Sequence, residues 1–342
     1  MTDTMRAVVV TRYGGALEVA DRPIPSPPTG EVLVKVRASG LCSTDLHLLS
    51  GRQPLGELPR ILGHELAGDV VELGVGVTQW RVGDRVTAAL DVTCGLCRHC
   101  LRGDTQLCQA KQRIGFERDG GHAEYVVAPE RNLVRLPDNL DYDAASILPD
   151  AVACMYHSLI GQGRVGLGTR LLVLGVGGLG IHGVQIARSG GAEVYATSRQ
   201  PDRLALATQC GAIAINTGER PLEAAIADLT GGEGVDVVAD NIGTRDSVRL
   251  GLSVLRPGGK FLVVGYLDES FEVPSMRLFA TEQEIIGCRG STKQDLIDVV
   301  RLVGTKQITP IIGARYSLEH IEQAAARLES GELVGRIVLT RP

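Results

Sequence analysis

The chain has 342 residues, 44% of them hydrophobic and 22% charged, and its formal net charge is −5 at pH 7. The composition is typical of a globular protein with a large core, the length favours two domains over one, and the negative charge without a basic run argues against a nucleic-acid partner. The start, MTDTMRAVVV, lacks the basic segment and sustained apolar run of a signal peptide, and every apolar run ends well before the ~18 residues that span a membrane, so we expect a cytoplasmic protein.

The first part of the chain, to about residue 127, predicts a compact antiparallel β domain. Short apolar segments such as RAVVV and EVLVKVRASG are separated by closely spaced turn signals, including RPIPSPPTG. In EVLVKVRASG every other residue from 32 to 36 is valine, which is the two-residue period of a half-buried strand.

Two short segments of this region carry donor types that suit zinc. Cys42 begins CSTDLH, and His64 follows 17 residues after His47, within GHE. A thiolate, an imidazole and a carboxylate are all zinc ligands. Taken singly, Cys42 is a small core residue and His64 a buried histidine. Taken together with the cysteines that follow, they favour a metal site.

A loop further on contains four of the eight cysteines, spaced C-x2-C-x2-C-x7-C: Cys94, Cys97, Cys100 and Cys108. With Gly95 and Gly103 to allow a tight loop, four thiolates can surround a zinc ion tetrahedrally. An iron–sulfur site is the competing interpretation, but the bacterial ferredoxin run continues x3-C-P, which differs from the spacing here. A disulfide pair is a weaker alternative. The spacing therefore favours a closed structural zinc site.

From about residue 151 the pattern changes to strand-like segments that alternate with amphipathic segments. This alternation predicts βαβ units and a parallel sheet. The predicted strands cover 171–175, 193–197, 213–215, 235–240, 260–265 and 284–289, and the predicted helices between them cover 201–209, 221–229 and 245–255. After residue 287 the sequence predicts helices over 294–303 and 318–330 and a last strand in RIVLT.

The stretch RLLVLGVGGLG at 170–180 carries the strongest signal for a nucleotide. A buried strand leads into G-x-G-x-x-G, formed by Gly175, Gly177 and Gly180, and helical spacing follows. The glycines allow a tight turn, a close backbone approach to a pyrophosphate and close packing of helix on strand. The free N–H groups of the helix N-terminus suit a dianion. An incidental glycine turn is the alternative.

These features together resemble the zinc-dependent medium-chain alcohol dehydrogenases, a family of the medium-chain dehydrogenase/reductase superfamily. The matching segments run in the family's order over essentially the whole chain: CSTDLH at 42–47, GHE at 63–65, GDRV at 83–86, the cysteines at 94–108, GVGGLG at 175–180 and GRIVL at 335–339. The resemblance implies an α/β fold with a GroES-like β-rich catalytic domain at 1–150 and 288–342, a doubly wound Rossmann nucleotide-binding domain at 151–287, and an active site in the cleft between them.

The resemblance also implies roles by position. Cys42 and His64 would bind a catalytic zinc, and Asp45 would orient His64, as a ligating imidazole requires. Thr44 would hydrogen-bond the substrate oxygen, and His47 would pass its proton to solvent. The cofactor-binding positions that it implies, including the arginine of GRIVL, are Gly175, Gly177, Gly178, Leu179, Gly180 and Arg336.

A catalytic zinc needs a third protein ligand and one open position. By its place in the family this ligand is Asp150, six residues before Tyr156 in DAVACMYH. Cys154, one helical turn further on the same face, is the alternative ligand, and an N-cap after Pro149 is the purely structural role for Asp150. The resemblance further places Glu65 near the zinc, which it would approach when no substrate is bound. We expect Asp150 to be the ligand.

The end of the strand at 193–197 predicts the choice of cofactor. An NAD site has an acid ~20 residues past the glycine turn, which bonds the ribose hydroxyls. Here Ser198 and Arg199 occupy that place, and a hydroxyl with a guanidinium suits the 2′-phosphate of NADP. Arg203 adds a second positive charge. We therefore expect NADP to be preferred over NAD; the alternative is a solvated Arg199, with either cofactor accepted and Asp202 serving NAD.

The expected reaction is reversible hydride transfer between a primary or secondary alcohol and NAD(P), giving an aldehyde or a ketone. Two zinc ions per subunit are expected, one catalytic and one structural, in a homo-oligomer that is a tetramer or alternatively a dimer. The rival interpretations are a zinc-free enone or quinone reductase of the same superfamily, a non-enzymatic zinc-binding scaffold and an iron–sulfur electron carrier. The expected partner is a small alcohol or carbonyl compound.

Overall fold

The computed structural model describes residues 4–341 and divides into two compact units. The first unit comprises the residues up to Ala153, Gly290–Lys306 and the residues from Pro310 on. The second comprises Cys154–Arg289 and Gln307–Thr309. The first unit is thus assembled from both ends of the chain.

The strands are numbered in chain order. They are β1 (Thr4–Val10), β2 (Glu18–Pro23), β3 (Glu31–Leu41), β4 (Arg60–Ile61), β5 (Glu65–Leu73), β6 (Arg85–Ala88), β7 (Asp91–Val92), β8 (Gln112–Arg113), β9 (Tyr125–Pro129), β10 (Leu133–Arg135), β11 (Arg170–Leu174), β12 (Glu193–Ser198), β13 (Ile213–Asn216), β14 (Val235–Asp240), β15 (Leu255–Val263), β16 (Glu284–Gly287), β17 (Ile312–Ser317) and β18 (Arg336–Thr340).

The α-helices are numbered in the same way. They are α1 (Ser43–Leu49), α2 (Arg98–Arg102), α3 (Tyr142–Ser146), α4 (Ala153–Tyr156), α5 (Gly180–Ser189), α6 (Pro201–Gln209), α7 (Leu222–Thr230), α8 (Arg245–Val254), α9 (Ser275–Thr281), α10 (Lys293–Gly304) and α11 (Ile321–Glu329). Single turns of π-helix cover Leu148–Val152 and His157–Gln162, and 3-10 turns cover Thr105–Leu107, Glu130–Asn132 and Leu318–His320. Among the helices of residues 4–341, none is both long enough and apolar enough to cross a bilayer.

The main sheet of the first unit is built around β3, which pairs antiparallel with β5, β9 and β18. Its strand order is β10-β6-β5-β3-β18-β17, with β9 also on β3, and smaller sheets have the orders β2-β1-β4 and β7-β8. The valines of the alternating segment are buried as the pattern predicts, and they pack with Leu66, Val70 and Trp80. The antiparallel β domain expected from the sequence is therefore the framework of this unit.

The second unit contains one parallel sheet with the strand order β13-β12-β11-β14-β15-β16. Counted within the unit this is the order 3-2-1-4-5-6 of doubly wound dinucleotide-binding folds. Four of the five residues of β11 are buried, because helices cover both faces of such a sheet. The parallel α/β sheet expected from the sequence is thus present.

The boundaries depart from the expectations at a few places. β15 begins at Leu255 rather than at 260, and α8 ends at Val254. The helix expected over 318–330 is divided into a 3-10 turn, Leu318–His320, and α11. β17 and α9 were not predicted from the sequence.

Candidate metal and dinucleotide sites

The first candidate metal site joins Cys42, His64 and Asp150, whose ligand atoms all lie within 4.8 Å of one another. Asp150 Oδ2 is 3.7 Å from Cys42 Sγ and 3.7 Å from His64 Nε2. Donors at ordinary zinc distances in a tetrahedron lie ~3.4–3.6 Å apart. The three side chains therefore fit a zinc ion. Among the described residues Cys154 is not part of this group.

Two of these residues lie between elements, and the third lies within a short helical turn. Cys42 stands between β3 and α1, His64 immediately precedes β5, and Asp150 lies in the π-helical turn Leu148–Val152. π-helical turns are frequent at functional sites. The turn, and not an N-cap, is what places Asp150.

Asp45 connects the start of α1 to the imidazole of His64. The backbone N–H of Cys42 donates to Asp45 Oδ2 at 2.9 Å, and Asp45 Oδ1 lies 3.4 Å from His64 Nδ1. Asp45 and His64 are both buried. Burial opposes the ionisation of Asp45, but the imidazoles around it outweigh this effect, so its pKa lies below the ordinary range. A charged Asp45 can fix the orientation of His64.

Arg336 joins two carboxylates at this group. Arg336 Nη2 lies 2.6 Å from Asp150 Oδ2 and 2.7 Å from Glu65 Oε1. Burial raises the pKa of Asp150, but the nearby imidazole of His64 and the charge of Arg336 outweigh it and lower that pKa to about 2. Two carboxylates, Glu65 and Asp150, thus share one guanidinium, and burial raises the pKa of Glu65.

The carboxylate of Glu65 is held by a backbone N–H group as well as by Arg336. The backbone N–H of Ala151 donates to Glu65 Oε1 at 2.9 Å. Gly40 is the residue opposite Glu65 in the β3–β5 pair. A Cβ atom at Gly40 would stand 1.8 Å from Glu65 Oε2, so any larger residue there would displace the Glu65 carboxylate.

His122 belongs to the same buried network and was missed in the sequence. Its Nδ1 lies 2.9 Å from Ser39 Oγ, and its Nε2 lies 3.5 Å from Asp45 Oδ2. Asp45 is therefore flanked by His64 on one side and His122 on the other. A lone histidine in GGHAEY has no spacing to a second ligand type, so no sequence signal indicated it.

Thr44 and His47, the expected proton-transfer pair, are three residues apart in α1 and both half-buried. This spacing puts them on one face of the helix. Burial and the nearby charge of Arg52 lower the pKa of His47. A neutral imidazole is the form that can accept a proton.

The second candidate metal site is the group Cys94, Cys97, Cys100 and Cys108. The Sγ atom of Cys100 lies 3.9 Å from that of Cys94 and 3.6 Å from that of Cys97, and the Sγ atoms of Cys94 and Cys108 are 3.6 Å apart. Four sulfurs at ~2.3 Å from a tetrahedral zinc lie ~3.8 Å apart, whereas a disulfide is ~2.05 Å long. All eight cysteines are free thiols, which contradicts the disulfide alternative.

The loop conformation supports this geometry. Gly95 and Gly103 have φ values of 76° and 88°, in the left-handed region that favours glycine. The backbone N–H groups of Leu96 and Cys97 point at Cys94 Sγ, at 3.5 Å and 3.4 Å. These donors lower the pKa of Cys94 to about 6, so its thiolate is available as a ligand at neutral pH.

The glycine turn after β11 has the features of a dinucleotide site. Gly175 has a φ of 81°, and a Cβ at Gly180 would stand 2.1 Å from the Gly175 carbonyl oxygen. α5 can begin there only because Gly180 lacks a side chain. A Cβ at Gly177 would meet no heavy atom within 4 Å, so this part of the turn faces open space. Gly178 and Leu179 connect the open part to the helix, where free N–H groups suit a pyrophosphate.

The end of β12 brings Ser198 next to this turn. Leu174 is the register partner of Thr197, so Gly175 and Ser198 are the next residues on the two neighbouring strands. Arg199 is exposed. Arg203 in α6 is half-buried, and burial lowers its pKa. The glycine turn and Ser198 thus lie at the carboxyl ends of adjacent parallel strands, where such folds bind ligands.

Comparison with known proteins agrees with both halves of the fold. The family model described as "Alcohol dehydrogenase GroES-like domain" matches residues 28–138, and the model described as "Zinc-binding dehydrogenase" matches residues 178–305. Sorbitol dehydrogenase of Halalkalibacterium halodurans is 32% identical over 344 residues, which cover 98% of this chain and 99% of that protein. Alcohol dehydrogenase of Geobacillus stearothermophilus is 33% identical over 338 residues, with 98% and 99% covered.

A solved structure described as a zinc-binding dehydrogenase from Sinorhizobium meliloti, with NADP bound, has a TM-score of 0.91 and 31% identity. The match covers 99% of each chain. The fold and these relatives define an alcohol-dehydrogenase-type oxidoreductase. The chain belongs to the zinc-dependent medium-chain dehydrogenase family.

Proposed function

We propose that this protein is a zinc-dependent alcohol dehydrogenase that transfers hydride reversibly between a primary or secondary alcohol and a nicotinamide cofactor. The observation that carries the proposal is the meeting of Cys42, His64 and Asp150 ligand atoms within 4.8 Å. Three protein ligands are the set of a catalytic zinc, because the fourth position then stays open for the substrate oxygen.

Each residue of the site has a distinct part in this reaction. Cys42, His64 and Asp150 would hold the zinc, which would supply Lewis-acid chemistry at the substrate oxygen. Thr44 hydrogen-bonds that oxygen, and the neutral imidazole of His47 takes the proton onward to solvent. A bound nicotinamide would accept the hydride, so the alcohol would be oxidised and the cofactor reduced.

Other charged side chains act on the ligands. Asp45 orients His64, and Glu65 lies near the zinc, with Arg336 holding both Glu65 and Asp150. The cofactor contact expected of Arg336 stays a prediction. The four cysteines of the loop at 94–108 hold a second, structural zinc. We expect a homo-oligomer, a tetramer or alternatively a dimer, in the cytoplasm.

We propose NADP as the preferred cofactor because Ser198 and Arg199 stand where an NAD site has an acid. Arg199→Ala should lower kcat/KM for NADP by roughly 10-fold or more, the loss of a charge-assisted bond, and change the NAD value little. The matched control is Arg249→Ala, which removes an exposed arginine of α8 in the same unit. A parent enzyme that prefers NAD, or an unchanged NADP value in the variant, contradicts the proposal.

The test of the activity combines metal analysis with a substrate panel. The purified protein is assayed with primary, secondary, aromatic and polyol alcohols and either cofactor, with the absorbance of the reduced cofactor as readout. We expect bound zinc and turnover of at least one alcohol class. Absence of zinc would favour the zinc-free reductase, zinc without turnover would favour the scaffold, and a coloured iron-containing protein would favour the electron carrier.

A further inference from the structure

His182 lies in the first turn of α5, directly behind the dinucleotide turn, and its side chain is fully buried. Its ring Nδ1 lies 2.8 Å from the carbonyl oxygen of Gly178. Its backbone N–H donates elsewhere, to the carbonyl of Leu179 at 3.0 Å. The imidazole therefore binds a carbonyl of the turn itself, two residues before the helix begins.

This bond sets the direction of one peptide plane. In a trans peptide the C=O of one residue and the N–H of the next point in opposite directions. The ring draws the Gly178 carbonyl toward the buried side, so the N–H of Leu179 is directed away from it. Gly177, one residue before this peptide, borders open space, because a Cβ there would meet no heavy atom within 4 Å. A donor aimed there meets the place where the turn offers room for a pyrophosphate.

We propose that His182 is a positioning residue of the cofactor site: its Nδ1–H holds the Gly178 carbonyl and thereby aims the Leu179 N–H at the cofactor pyrophosphate. The inference rests on the proposed dinucleotide binding and deepens it. A carbonyl oxygen only accepts hydrogen bonds, so the ring carries its proton on Nδ1. His182 acts through the backbone and makes no contact with the reacting atoms.

Three variants of the zinc-loaded protein test this role. His182→Leu keeps a buried apolar side chain but removes the donor, and His182→Asn restores an N–H at the same number of bonds from the backbone. His157→Leu is the matched control, since it removes another buried histidine of the same unit, in the turn His157–Gln162. Dissociation constants are measured by calorimetry for NADP and for 2′-AMP, which lacks the pyrophosphate.

We expect His182→Leu to bind NADP about 10-fold more weakly, the effect of one misaligned donor to a charged group, with 2′-AMP affinity within about twofold of the parent. His182→Asn should recover most of the NADP affinity, and His157→Leu should change neither constant.

Unchanged NADP affinity in His182→Leu, or an equal loss for both ligands, overturns the positioning role. If His182→Leu does not fold, the inference depends on His182→Asn, and weak NADP binding by that folded variant overturns it. A parent that binds neither NADP nor NAD refutes the proposed function itself. If the parent binds only NAD, the same comparison is made with NAD and adenosine.

Discussion

One oxygen atom, Oδ2 of Asp150, lies next to both the guanidinium of Arg336 and the other ligand atoms of the candidate metal site. It lies 2.6 Å from Arg336 Nη2 and 3.7 Å from both Cys42 Sγ and His64 Nε2. A carboxylate oxygen has two lone pairs, so it can accept from the guanidinium and still face a metal. His64 and Arg336 together keep Asp150 ionised, which is the form of a carboxylate that can bind a metal.

The third ligand can be tested by two substitutions. Asp150→Ala should lose the catalytic zinc and lower kcat by more than the ~10–100-fold typical of residues that only orient a ligand. Cys154→Ala, the matched control four residues on, should keep both metal and activity. Metal content by mass spectrometry and steady-state kinetics are the measurements. If Cys154→Ala lost the zinc while Asp150→Ala kept both zinc and activity, the third ligand would be Cys154.

What the sequence predicted of this site depended on spacing within short segments. Cys42, His64 and Asp150 stand in recognisable segments, and the structure brings them together. His122 and the bond from Arg336 to Glu65 had no such signal, because partners 271 positions apart meet only through sheet register. Sequence spacing predicts ligands that a local segment presents and misses partners that the tertiary fold supplies.

At the end of β14 a second carboxylate, Asp240, is buried, but its pKa is shifted in the opposite direction to that of Asp150. Asp240 Oδ1 accepts from the backbone N–H of Ile242 at 2.9 Å and of Gly243 at 3.3 Å, and Ser247 Oγ donates to Oδ2 at 2.7 Å. Burial nevertheless raises the pKa of Asp240, so the charged form is disfavoured in the folded state. Ser247 Oγ also lies 2.9 Å from the Thr244 carbonyl oxygen. If an amide replaced the Asp240 carboxylate, the Ser247 hydroxyl could accept a hydrogen bond from that amide and donate its own hydrogen to the Thr244 carbonyl.

Asp240→Asn should therefore stabilise the protein at pH 8, because it removes a buried charge while an amide keeps the hydrogen bonds. A carboxyl whose pKa is raised on folding weakens the fold above its unfolded pKa, and this penalty fades as pH falls toward ~3.9. The gain in urea midpoint should be smaller at pH 5 than at pH 8. Asp246→Asn, an exposed neighbour in α8, is the control and should show no such trend. Lower stability of Asp240→Asn at pH 8 would refute the argument.

The elements that the sequence did not predict lack the patterns on which prediction depends. α9 has no buried residue, so it carries no amphipathic stripe. β17 alternates only between half-buried and exposed residues and includes a glycine and an arginine, which weaken a strand signal. The buried strands of the parallel sheet and the amphipathic α6 and α10 carry strong patterns, and these were predicted to within a few residues.

At the scale of the whole molecule, the two ends of the chain build the first unit together. β18 pairs with β3, and Arg336 at the start of β18 reaches Glu65 at the start of β5. Composition and periodicity predict the strand but not its partner, since a strand can add to any free edge. Only the family resemblance implied that the tail returns to the N-terminal region.

The two candidate metal groups should differ in what their loss does to the molecule. A closed four-thiolate zinc site contributes its binding free energy to folding. The zinc content of Cys97→Ser should therefore fall from about two ions per chain to about one, and the variant should melt at a lower temperature. Cys42→Ala should also lose about one zinc ion. It should keep its fold but lose turnover, because the first site is the open one at which the substrate oxygen would bind. Cys210→Ser, a cysteine outside both groups, is the control for thiol replacement. Metal content, circular dichroism and calorimetric melting are measured on all three. A Cys97→Ser protein with full zinc and unchanged melting would show that the cysteine loop has no structural metal, whereas unfolding of Cys42→Ala would make the first site structural as well.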